Sequence, residues 1–131
     1  MNILLHKQTA EAKQYPYWDK LDLNGHQVKE IDRIMSFDEL KFLVEWCDLF
    51  ISVDSFLPHF VKAYGFDKKG IVLWGVSDPL LFGYNDFTNL LKDRKYLREK
   101  QYWIWKDEVW NKEAFVDPEE VNKVINSFCQ V

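Results

Sequence analysis

The run Leu49-Phe50-Ile51-Ser52-Val53 stops abruptly at Asp54-Ser55, and a helical pattern opens directly behind it. A continuous apolar stretch of strand length needs cover on both faces, as in the parallel sheets of α/β proteins. Its polar end places Asp54 at the strand's carboxyl tip. The same alternation recurs along the chain, with strands predicted at Ile3 to His6, Val28 to Met35 and Ile71 to Trp74. In the second of these, Val28, Ile31 and Ile34 recur at every third residue, which also fits a helix; the branched residues and the preceding Asn24-Gly25 turn favour a strand.

Between the strands lie a polar loop, Lys7 to Gln14, and a brief aromatic helix, Tyr15 to Leu21. A further helix opens on a capping box of Ser36 and Glu39, presents Leu40, Leu43 and Val44 on one face, and ends near Cys47. Pro58 to Tyr64 reads as a helix stopped by Gly65. After a Gly75 to Tyr84 loop, Phe87, Leu90, Leu91 and Leu97 predict a charged helix over Asp86 to Lys100. Asp117, Pro118 and Glu120 open a last helix striped by Val121, Val124, Ile125 and Phe128. Strands alternating with helices predict an α/β fold: one Rossmann-like domain over residues 1–131, with a parallel sheet of about four strands flanked by helices and a C-terminal helical tail.

A net charge of -4 lacks the basic footprint a duplex nucleic-acid binder needs. Cys47 and Cys129 sit among apolar residues at helical spacing and read as buried thiols. No stretch has the length of a membrane span or the pattern of a signal peptide, which predicts a cytoplasmic protein. His6, His26 and His59 lie far apart and no Asp-x-Asp pair is present, so neither a metal nor a cofactor is expected. The mixed charges from Lys92 to Lys100 read as a solvated face. Trp103, Trp105 and Trp110 fit either an exposed aromatic platform or a half-buried edge strand, and an aromatic share of 17% leaves self-association open.

The polar residues just after strands carry the functional reading, because ligands of open parallel sheets sit outside the strands' carboxyl ends. Asp54 and Ser55 precede a helix whose free N–H groups and positive dipole end favour an anion, and His59 falls in its first turn. Helix capping by Asp54 and Ser55 and a structural role for His59 are the alternatives. Lys13 by default is a solvated surface charge, and Met35 core filler.

Three stretches resemble glycosyltransferase family 9, the heptosyltransferases of lipopolysaccharide inner-core synthesis. Leu5-His6-Lys7-Gln8-Thr9-Ala10-Glu11-Ala12-Lys13-Gln14-Tyr15-Pro16 is similar to the family's strand and loop ending in Lys-x-aromatic-Pro. Met35-Ser36-Phe37-Asp38-Glu39-Leu40, followed by Val53-Asp54-Ser55 and His59, resembles the family's Met-Ser-Leu and Asp-Thr/Ser-Gly-x-x-His. Leu73-Trp74-Gly75-Val76-Ser77-Asp78-Pro79 is similar to its aromatic-Gly-Pro-Thr-Asp-Pro loop. Phe56 stands where the family has glycine.

The resemblance implies the donor-binding, carboxyl-terminal half of a two-domain glycosyltransferase of the B type. It places Thr9, Lys13 and Ser55 at the donor phosphates, Met35 against the base, Asp54 near the donor sugar, and His59 as the motif histidine. It favours an ADP-sugar and direct displacement at the anomeric carbon. The family's acceptor domain, which supplies the carboxylate base, has no counterpart in the sequence, so a companion acceptor-domain chain is the expected partner for catalysis. The alternative expectation is a non-catalytic interaction or oligomerisation module that keeps the fold.

Overall fold

The computed structural model describes residues 1–102 and 108–129; Trp103 and Trp105 lie outside them. Its elements run β1 (Asn2–His6), β2 (Gln27–Ile31), α1 (Phe37–Trp46), β3 (Leu49–Val53), α2 (Phe56–Ala63), β4 (Lys69–Leu73), α3 (Pro79–Phe82), β5 (Thr88–Leu90) and α4 (Pro118–Cys129). The five strands form one parallel sheet in the order β2-β1-β3-β4-β5. This is an α/β domain of Rossmann-like architecture, with one strand more than the sequence pattern indicates.

Strand alternation sorts the core into two layers. Ile3, Leu5, Leu49, Ile51, Val53, Ile71 and Leu73 face Tyr15, Phe115 and the α4 residues Val121 and Ile125. Leu4, Ile31, Phe50 and Val72 face Val44 of α1, and Leu57 and Val61 of α2. Every residue of β3 is buried, as its unbroken apolar run requires. On β4, Gly70 leaves the space that the end of the Phe50 ring fills, since a Cβ there would overlap that ring.

The Ser36 hydroxyl accepts the Glu39 amide at 3.2 Å and starts α1. At its other end the Lys68 ammonium donates to the carbonyls of Glu45 and Cys47 at 2.9 and 2.8 Å, satisfying acceptors the helix leaves open. Gly65, with φ of +72°, turns the chain out of α2.

Several expectations are corrected. The second strand ends at Ile31 rather than running to Met35, and α2 begins two positions ahead of Pro58, at Phe56. The aromatic segment Tyr15 to Leu21 forms only a short 3-10 turn at Trp18–Lys20. Asp86 to Lys100 is not a helix: it holds β5 and a 3-10 turn at Arg94–Tyr96. Leu90 and Leu91 go to opposite faces of the sheet, the mark of a strand, and the Asp93 carboxylate accepts the Lys95 amide to turn the chain. Cys47 is buried, but Cys129 is exposed at the end of α4, where its thiol donates to the Ile125 carbonyl.

The β1–β2 crossover contains no α-helix. It is held instead by the carboxyl-terminal part of the chain: the Tyr15 hydroxyl donates to the Val116 carbonyl at 2.9 Å, the Trp110 indole to the Gln14 carbonyl at 2.9 Å, and the Asn122 side chain bonds the backbone of Lys20 and Asp22. Among the described residues no helix is long and apolar enough to cross a membrane.

Candidate functional site

The strand order makes β1 and β3 neighbours whose connections leave toward opposite sides, so the crevice beyond their carboxyl ends is the topological switch point of the sheet. The loop after β1 and the Asp54-Ser55 step after β3 form its two lips. They are laced together. The Thr9 hydroxyl donates to the Asp54 carbonyl at 2.8 Å, and the Ser55 hydroxyl donates to the Gln8 carbonyl at 3.0 Å. Lys13 sits in a 3-10 turn at Glu11–Lys13, from which its ammonium reaches the Asp54 carboxylate at 3.1 Å. The Gln8 amide donates to the Asp32 carbonyl at 2.8 Å, tying the same loop to the end of β2.

Thr9, Lys13, Asp54 and Ser55 are therefore brought together. Lys13 is mostly sheltered rather than a solvated surface charge, and its ion pair keeps a cation at the switch point. Ser55 occupies the N-cap position of α2, yet its side chain caps nothing in the helix. The helix start also lacks one amide, because Pro58 is its third residue.

Met35 and His59 lie elsewhere. Met35 lines a shallow, largely apolar depression of about 390 Å³ with Arg33, Phe42 and Leu43, beside α1. The His59 Nδ1 and the Tyr84 hydroxyl are 2.8 Å apart and the two rings meet edge to face, which directs His59 toward the β4–β5 side. The third resembling stretch has a local structural use. Asp78 accepts the Leu80 amide at the start of α3 and two bonds from the Arg94 guanidinium, at 3.0 and 2.7 Å. Arg94 holds the Asp78 carboxyl below the usual carboxylate range, despite a smaller opposing effect of burial. Trp74 is buried with its indole N–H on the Asn89 side chain.

Nothing in the sequence beyond its place at a strand's polar end marks His6, the last residue of β1. It is buried, and its ring packs against Phe56 with centroids 4.7 Å apart. Burial pushes its pKa down to about 4, so the imidazole is neutral near pH 7. Among the described residues, no group of three or more His, Cys, Asp or Glu side chains is arranged to hold a metal ion.

No protein-family model, curated protein or solved structure matches the chain. What stands is an α/β domain of Rossmann-like topology, a fold compatible with nucleotide binding, whose switch-point crevice carries a lysine and two hydroxyl groups.

Proposed function

We propose that this domain binds a nucleotide-sugar at the β1–β3 switch point, an ADP-sugar foremost, in the manner of the donor half of a family 9 glycosyltransferase. The observation that carries this reading is the convergence of Thr9, Lys13, Asp54 and Ser55 on the crevice, where a parallel sheet receives its ligands. Lys13 and the start of α2 offer positive charge to a diphosphate from two sides. In the free protein Asp54 is the counter-ion that keeps the Lys13 ammonium in place; a bound diphosphate competes for it.

Sugar transfer would proceed by direct displacement at the anomeric carbon, with Lys13, Thr9 and Ser55 stabilising the departing diphosphate and Asp54 orienting the sugar. His59, held by Tyr84, and Met35, beside α1, stand outside this crevice. Acceptor and general base would come from outside this domain. Titration with ADP-, UDP- and GDP-sugars by calorimetry tests the proposal: saturable binding that disappears in Lys13→Ala supports it, and no heat with any of the three sinks it.

A second reading is favoured by one surface. Phe37, Phe60 and Tyr64 pack ring to ring, with centroids 4.9 to 5.8 Å apart, on a partly exposed face shared by α1 and α2. An interaction module would use that face, and sedimentation showing concentration-dependent association lost in Phe37→Ser would favour it.

A further inference from the structure

His6 has no place in the donor site outlined above, yet it is the least comfortable polar group at the crevice. Its residue surface is 2% exposed, and its Nδ1 has no hydrogen-bond partner among the described residues. Native structures rarely leave a buried ring nitrogen in this condition. His6 lies in register with Ser52 of β3, on the sheet face that α1 and α2 cover, but the Ser52 hydroxyl donates to the Val53 carbonyl instead.

The ring against His6 is that of Phe56, the first residue of α2. Phe56 is 42% exposed, and its other ring contact is a distant one, 6.5 Å from Phe60. The ring is therefore not enclosed in the core, and one of its faces is open to solvent-side rotamers. Behind it α2 starts without a side-chain cap, because Ser55 has turned its hydroxyl to Gln8. An unpartnered imidazole thus packs against the first residue of a helix whose start has no side-chain cap.

We propose that Phe56 is a gate over an anion subsite formed by His6 Nδ1 and the start of α2, which receives one phosphate of the ligand's diphosphate when the ring swings aside. This inference rests on the nucleotide reading above and specifies how the diphosphate enters and what meets it. Once the ring has moved, a neutral imidazole with its proton on Nδ1 donates to a phosphate oxygen. The amides and dipole of α2 supply the positive field that the uncharged ring does not. With the gate closed most of the time, the apparent affinity is reduced by the fraction of open molecules.

The experiment is a calorimetric titration of ADP and of inorganic pyrophosphate into the wild-type protein, Phe56→Ala and Phe56→Leu, with melting curves to establish that each variant is folded. A gate closed in roughly nine molecules of ten gives about tenfold tighter binding in Phe56→Ala, and Phe56→Leu falls between. In ¹⁵N-histidine spectra the Nδ1 signal of His6 moves at saturation while that of His26 stays put. Equal affinities in all three proteins with a silent His6 overturn the gate and leave the nucleotide reading standing. Binding by Phe56→Ala but not by the wild type supports the gate and overturns donor binding by the wild-type domain. No uptake of either compound by any of the proteins overturns both.

Discussion

Lys13 and Asp54 meet as an ion pair 3.1 Å apart across the lips of the β1–β3 crevice, with only 19% and 11% of their side-chain surfaces exposed. Shelter of this degree makes the pair sensitive to which partner is removed. Lys13→Ala leaves a carboxylate facing any incoming phosphate and is expected to weaken ADP binding by at least about tenfold. Asp54→Asn removes that competitor and is expected to tighten ADP several-fold. Calorimetry on the two variants checks the opposite signs; a loss in both would mean that the pair shapes the loop and does not meet the ligand.

The Thr9 hydroxyl bond to the Asp54 carbonyl is a second lace between the same lips. Thr9→Val keeps the branched shape and deletes the donor, at a cost of about 1 kcal/mol. In a domain of this size that lowers Tm by about 4 °C, read by scanning calorimetry. An unchanged Tm would show that water replaces the bond without loss.

His6 sets a pH dependence through burial. Its folded-state pKa of about 4 lies below the ordinary 6.5, so between these values the unfolded chain takes up a proton that the folded chain refuses. The His6 contribution to stability accordingly declines as pH falls through that window and is level above and below it. The contribution is about 3 kcal/mol at most. Urea titrations between about pH 7 and pH 4.5 should show the decline in the wild type and a flatter profile in His6→Gln.

Gly70 has no room for a methyl group, because the Phe50 ring occupies the space where its Cβ would stand. Gly70→Ala is expected to destabilise the domain by about 1–3 kcal/mol, through displacement of Phe50 or of β4. Denaturant melts measure it. Restoring stability with Phe50→Leu in the same chain would identify the ring as the source of the clash.

How far the sequence could be read depended on whether local and tertiary forces agreed. Leu49 to Val53 declares a central strand because both its faces are covered, and Ser36 with Glu39 declares a helix start because the cap is made within one turn. Asp86 to Lys100 misleads for a definite reason. Phe87, Leu90 and Leu91 have helical spacing, but Phe87 and Leu91 serve one side of the sheet and Leu90 the other, a division that exists only once β4 is beside them. At the candidate site, Asp54 and Ser55 were legible as residues following a strand, whereas Thr9 and Lys13 entered only through the family resemblance. The mutual bonds of the four were not legible, since those join loops far apart in the chain. His59 has helix-start spacing, but a tyrosine from a remote loop claims its ring.

The bonds that run from Tyr15 to Val116, from Trp110 to Gln14 and from Asn122 to Lys20 bear on the order in which this protein is made. The loop that carries Lys13 leaves the ribosome roughly 100 residues ahead of the groups that brace it. A nascent chain therefore holds an unbraced crevice until α4 has emerged, and contacts of such long sequence separation form slowly. Competence to bind a ligand should arrive in a single step, when α4 docks, and not grow by degrees as the sheet assembles.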